Sequence, residues 1–331
     1  MPLCISKTPL RISFFGGGTD YPDYYNQRPG AVLGSSINKY IHIVTLPMAS
    51  FTVSRYHLTY RIVEDVDQIK QIQHPVIRAV LSELDYPIPL NLAVLSDVPG
   101  GTGLGSSSTF TVGFLNLIYR LKGLQPTRYD LAKEAIRIEH SVLRENVGIQ
   151  DQLHAAFGGL SRYTFYKNDF SITPIRMTTE CRDALNASLV LVFTGFARHA
   201  STIVAEQLEN ILAAKNEQDL SHLHAFTEQG IAVLENTDPE AMLRDFGKMI
   251  NDSWMIKRAV FSNASSHLID SVYEAGKSAG ALGGKLCGAG GGGFFLFVVP
   301  PLHQRKFIEV FGEDKIMKIA LEDGGSTILT G

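Results

Sequence analysis

The chain has 331 residues and 45% hydrophobic composition, enough for a large core and most naturally for two domains. A formal net charge of −3, with no Lys/Arg-rich run, argues against a nucleic-acid partner. Cys4, Cys181 and Cys287 lie too far apart for a disulfide framework or a CxxC metal pattern, which fits a reducing cytoplasm.

The first residues, MPLCISKTPLRI, show no secretory pattern, and the longest apolar stretches are too short to span a bilayer. Arg11–Phe15, Lys39–Leu46, Phe51–Arg55 and Asn91–Leu95 read as strands, with glycine and proline between the early ones. Thr109–Leu121 has the apolar content of a largely buried helix, stopped by Lys122-Gly123. A second helix is expected over Thr127–Arg144, with Thr127 as its N-cap and Asp130 in the first turn. Leu160–Tyr166 is strand-like, and the polar KNDF stretch after it weakens the pattern. A domain boundary is placed near residue 180, giving 1–180 and 181–331. In the second part, Ala187–Thr194 opens an αβ block, helical periodicity covers much of 200–262 and 266–279, and Phe294–Val299 is a strong strand. Strands and helices without strict alternation indicate an α+β class.

Three glycine-rich stretches stand out. Gly16, Gly17 and Gly18 follow the first strand, where a hairpin would need only two turn residues. The second, SDVPGGTGLGSSSTF at 96–110, precedes a helix whose free N–H groups and dipole make an anion site. Its serines can add donors or ligate Mg²⁺, a hard cation that prefers oxygen. The third, KLCGAGGGGFFLFV, contains GxGxxG at Gly288, Gly290 and Gly293, but a helix is expected before it and a strand after it. That order is the reverse of a dinucleotide-binding loop. A Walker loop around Gly280–Lys285 fails as well, because Ala279 replaces its first glycine and Leu286 its Ser/Thr.

Two acids add to this pattern. Glu139 has Ala135, Ile136, Val142 and Leu143 at its i±3 and i±4 positions, so it lies within an apolar face. A carboxylate there calls for a metal or another cation beside it. Asp151 falls in the first turn of a short helix, where the dipole favours its charge. His140 and His154 have no HxxxH pairing and are read as structural.

The ordered stretches PLRISFFGGGTDY (9–21), PGGTGLGSSS (99–108), EHSVLRENVGIQDQ (139–152) and KLCGAGGGGFF (285–295) resemble those of the GHMP kinases. The likeness runs over essentially the whole chain. It implies a domain like ribosomal protein S5 domain 2, then a ferredoxin-like domain, with the active site between them. It also implies ATP and Mg²⁺. Gly100, Gly101, Thr102, Gly103, Leu104, Gly105, Ser106, Ser107 and Ser108 would hold the ATP phosphates. Ser107 and Glu139 would bind Mg²⁺, Asp151 would be the base or orienting carboxylate, and Arg11 would balance charge beside it. Gly17, Gly18, Thr19, Asp20 and Tyr21, with Asp151, Gly288, Gly290 and Gly291, would face the substrate.

Galactokinase carries Glu-His where this chain has Gly17-Gly18, so a longer or phosphorylated sugar is expected in its place. A phosphate on that sugar needs cationic partners, for which Arg198, His199 and Lys257 are candidates. The expected activity is an anomeric sugar kinase acting on a sugar phosphate. A galactokinase- or fucokinase-like enzyme and a non-catalytic sugar and ATP sensor are the alternatives. No nucleic-acid or membrane partner is expected, and a homodimer is compatible with the reading.

Overall fold

The computed structural model describes residues 3–47, 54–167, 169–196, 217–260 and 265–330. Arg198 and His199, and most of the strand expected at Phe51–Arg55, lie outside them. The described elements form two sheets with helices packed on them, an α+β arrangement.

The first sheet has eight strands. Along β12-β1-β2-β5-β3-β4, these are Thr327–Thr330, Cys4–Phe15, Gly30–Pro47, Leu90–Ser96, Tyr56–Thr59 and Val63–Val66. β6 (Leu160–Tyr166) and β7 (Asp169–Pro174) extend it from β2. β7 contains residues that the polar KNDF stretch had set aside; pairing with β6 along 169–174 supplies the order that its composition lacks. The second sheet is antiparallel, in the order β11-β8-β10-β9: Ile316–Lys318, Leu189–Phe193, Phe294–Val298 and Gly283–Leu286. The last strand of the chain thus returns to the first sheet and pairs with β1.

Ten α-helices occur among the described residues: α1 (Pro22–Tyr25), α2 (Pro75–Glu83), α3 (Ser106–Leu121), α4 (Arg128–Arg137), α5 (Gln150–Phe157), α6 (Thr179–Ser188), α7 (Glu217–Leu234), α8 (Pro239–Val260), α9 (His267–Ser278) and α10 (Pro301–Phe311). Among those residues no helix is long and apolar enough to cross a membrane. α3 lies against β1 so closely that a Cβ on Gly113 would stand 2.6 Å from Thr8 Oγ1. α4 begins as expected, with the Thr127 side chain accepting from Asp130 N–H.

The expected 127–144 helix changes form at residue 138. Ile138–Val142 makes one π-helical turn, a departure that often accompanies functional positions. Its wider turn carries Glu139 into the interior, where the residue is 1% exposed.

Aromatic side chains tie the end of β1 to the second half of the chain. The Phe14 ring meets Phe246 of α8 edge-on at 5.0 Å, and Phe15 stacks on Phe226 of α7 at 5.9 Å. Such pairs add about 0.5–1.5 kcal/mol each beyond the area they bury. The strand end that presents Arg11 and the glycines is therefore fixed by both halves.

Candidate active site

The three glycine stretches meet. A Cβ on Gly103 would stand 2.5 Å from the Cys287 carbonyl oxygen, and one on Gly293 would stand 2.4 Å from the Thr102 carbonyl oxygen. Phe294 N–H donates to Thr102 O at 3.1 Å, and Arg11 N–H donates to Leu104 O at 3.2 Å. The third stretch is thus pressed onto the second, and the second onto β1. Contrary to the sequence expectation, strand β9, and not helix α9, immediately precedes the third stretch; Gly288–Gly293 is the link of an antiparallel β9-β10 pair. Glycines in the preceding GGKL had masked a strand that is buried on both faces.

Gly103 also has φ +83°, a conformation costing other residues about 1–2 kcal/mol. Gly103→Ala is therefore expected to lower the thermal unfolding midpoint and weaken ATP binding together. An unchanged midpoint in a melting experiment would contradict this close contact.

Gly105 is the N-cap of α3, in the left-handed region, and no side chain caps the helix. The amides at the start of a sixteen-residue helix are left facing the glycine loop. Not every residue of 100–108 points there. Leu104 belongs to the core, and buried Thr102 donates to Pro99 O.

Arg11 and Asp151 form the centre of the site. Arg11 Nε and Nη2 donate to Asp151 Oδ1 and Oδ2 at 2.6 and 2.8 Å, and Nη1 donates to Gly103 O at 2.7 Å. The Arg11 side chain is 7% exposed and that of Asp151 22%, so part of Asp151 remains open to solvent. Burial opposes the Arg11 charge, but the adjoining Asp151 carboxylate outweighs it and raises the Arg11 pKa.

Glu139 lies behind the start of α3. Ser108 Oγ and Gln152 Nε2 both donate to its Oε2, at 2.8 and 2.5 Å, while Oε1 is buried with no hydrogen-bond partner. Burial raises its pKa to about 7, against the hydrogen bonds that lower it. The serine bonded to Glu139 is Ser108; Ser107, named from the sequence, is exposed one position earlier. The helix turns about 100° per residue, so consecutive serines face different ways. Sequence spacing alone did not separate them.

The first glycine stretch divides by role. Thr19 is fully buried, with its one hydroxyl proton shared between the Gly16 and Ala31 carbonyls while its oxygen accepts from Ala31 N–H. The Thr19 side chain thus turns inward and holds the loop's shape. Asp20 accepts from Gly18 N–H at 3.0 Å and from Gln150 Nε2 at 2.9 Å. Burial, then the neighbouring Asp151 charge, raises its pKa. The Tyr21 hydroxyl pKa is raised by burial and then by Asp20 and Asp151.

Two lysines complete the cleft. Lys257 of α8 donates from Nζ to Gly288 O at 2.6 Å, and burial lowers its pKa to about 8. Lys285, present in the third stretch but given no role there, reaches from β9 to the Ser13 and Phe14 carbonyls at 3.0 and 2.6 Å. Burial and then Lys257 lower its pKa to about 7. It pins the end of β1 to the second sheet.

The GHMP kinases N terminal domain pattern matches residues 69–159, and the GHMP kinases C terminal pattern matches 240–313. The chain belongs to the GHMP kinases, a family of ATP-dependent small-molecule kinases. It is 30% identical over 327 residues to a D-glycero-alpha-D-manno-heptose 7-phosphate kinase of Campylobacter jejuni, covering 94% of this chain and 93% of that one. Its fold matches a crystal structure of a D-glycero-D-manno-heptose 1-phosphate kinase from Bacteroides thetaiotaomicron with a TM-score of 0.73 at 23% identity, covering 99% of both chains. A Methanococcus jannaschii mevalonate kinase matches with a TM-score of 0.73 at 18% identity, over 96% of this chain and 98% of that one.

Proposed function

We propose that this kinase transfers the γ-phosphoryl group of ATP to the anomeric hydroxyl of D-glycero-D-manno-heptose 7-phosphate. The product would be the 1,7-bisphosphate used for GDP-heptose and surface polysaccharides. The observation that carries this reading is the full-length match to a heptose 7-phosphate kinase, with Arg11 and Asp151 paired beside an uncapped helix start. The stretches FFGGGTDYPDYY, FTGFARHAS and GGKLCGAGGGGFF also resemble that enzyme. Bare glycine at Gly17 supports a sugar longer than galactose, whereas Gly18, at φ +105°, is glycine for its backbone conformation.

The residues around Glu139 fit a Mg²⁺ ion. Glu139 Oε1 is a buried carboxylate oxygen without a partner, and exposed Ser107 stands at the same helix start. Among the described residues no cluster of three His, Cys, Asp or Glu could hold a metal alone. The remaining ligands would come from nucleotide phosphates and water, the usual setting for Mg²⁺. When bound, the ion neutralises charge on the transferring phosphate.

The α3 amides and the glycine loop hold the nucleotide phosphates. Asp151 orients the acceptor hydroxyl and takes its proton as the oxygen–phosphorus bond forms and the bond to ADP breaks. Arg11 keeps Asp151 in place and offsets the negative charge that develops there. Catalysis is chiefly positioning and electrostatics.

Lys257 is the described cation proposed for the 7-phosphate. Its charge is complete well below pH 8 and is lost as pH rises through about 8. kcat/KM for the phosphorylated sugar should therefore fall above pH 8, and Lys257→Met should lower it about tenfold or more while removing that limb. A flat profile from pH 7 to 9 in the wild type would remove Lys257 from recognition. The proposed activity itself is tested by ADP release with heptose 7-phosphate as acceptor.

A further inference from the structure

Strand β1 loses register with β2 on both sides of Arg11. The first shift falls between Pro9 and Arg11, and the second between Ser13 and Phe15, where β1 carries one residue more than its partner. Bulges of this kind collect next to active sites, where they re-aim a side chain. Arg11 is the side chain that stands between these two. Its backbone N–H donates to Leu104 O at 3.2 Å and its Nη1 to Gly103 O at 2.7 Å. The second glycine stretch therefore takes its place from the course of this strand.

Lys285 sits on the second bulge. From β9 of the second sheet, its Nζ donates to the Ser13 and Phe14 carbonyls at 3.0 and 2.6 Å. Two residues further on, the Cys287 carbonyl oxygen would stand 2.5 Å from a Cβ on Gly103. The contacts close a ring that runs from Lys285 to the bulge, to Arg11, to Gly103 and back through Cys287. An ammonium is a costly way to hold two strands together. Lys285 is 8% exposed, and the groups whose charge bears on it are Lys257, Cys287 and Arg11, none of them a carboxylate. Buried charges are ordinarily paired. Stability does not account for a cation kept beside two others, whereas its place on the bulge behind Arg11 gives it a task.

We infer that Lys285 is a positioning residue for phosphoryl transfer: by holding the β1 bulge it sets the direction in which Arg11 meets Asp151 and the glycine loop. It acts through Arg11. A displacement of about 1 Å in reacting groups can cost about 10²-fold in rate, so a contact this far behind the chemistry still matters. This inference rests on the kinase reading above but not on which sugar is the acceptor.

Turnover of heptose 7-phosphate by the wild type decides the proposed acceptor separately. Lys285 is tested by a double-mutant cycle on kcat, run with whichever sugar the wild type phosphorylates. Lys285→Met should lower kcat about 10- to 100-fold, while KM for ATP and for the sugar stays within about threefold. Thermal melting shows whether the variant is folded. In an Arg11→Met background the same substitution should change kcat by less than about threefold, because the residue it acts through is gone. A merely structural lysine would cost the same factor in both backgrounds. Lys285→Gln keeps a donor without the charge, and it takes the same place in the cycle if the methionine variant does not fold. A kcat within about threefold of wild type in the folded Lys285 variant would overturn the inference, as would equal losses with and without Arg11.

Discussion

Asp151→Asn should lower kcat by about 10²- to 10⁴-fold, the range for loss of a positioned general base. The substitution keeps shape and removes charge. ATP affinity should stay within a few-fold, because the amides of α3 and the glycine loop are untouched. Stability should fall as well. Arg11 is 7% exposed and donates two of its hydrogen bonds to Asp151, so the variant removes its counter-charge and one acceptor, leaving a buried cation with the Gly103 carbonyl and a single amide oxygen. Removing one partner of a fully buried pair costs about 3–5 kcal/mol, and the partial exposure of Asp151 reduces that. Steady-state kinetics and thermal melting of one preparation read both effects. Activity within a few-fold of wild type would remove Asp151 from the mechanism.

Glu139→Gln has the opposite stability sign. It should lower kcat by about 10²-fold and raise the Mg²⁺ concentration needed, since a charged ligand becomes neutral. Burial raises the Glu139 pKa from 4.5 to about 7, so the folded apoprotein binds that proton more tightly than the unfolded chain does. The resulting stability is fully present below pH 4.5 and is lost as pH rises through about 7. The glutamine has no charge to desolvate. Above pH 7 without Mg²⁺ the variant should therefore melt at or above the wild-type temperature. Activity given up with stability retained marks a residue kept for function. Overlapping Mg²⁺ titrations of variant and wild type would refute the ligand assignment.

Much of this site was legible in the sequence, for identifiable reasons. Glycine tracts announce close backbone approach, and the structure brings all three together through contacts that no side chain would permit. The Thr127 cap and the Asp151 helix start are local features, fixed by a few neighbouring residues. Burial of Glu139 followed from its apolar neighbours, although the π-helical turn behind it did not, because a 3.6-residue period cannot register one inserted residue. Long-range contacts were the least legible. Lys285 reaches carbonyls on a strand about 270 residues earlier, and Ser108 is distinguished from Ser107 only by the direction of α3. The return of β12 to β1 likewise has no local signal in four residues. Gly17 is told apart from Gly16 and Gly18 only by the positive φ of those two neighbours.

The most direct test of the central claim is Mg²⁺-dependent ADP release with heptose 7-phosphate, heptose, mannose, galactose and fucose, followed by phosphorus NMR of the product. Turnover is expected with heptose 7-phosphate at a kcat/KM well above that of the unphosphorylated sugars, with a product carrying a second phosphate on C1. Turnover of galactose or fucose with none of heptose 7-phosphate would contradict it, as would phosphate on any carbon other than C1.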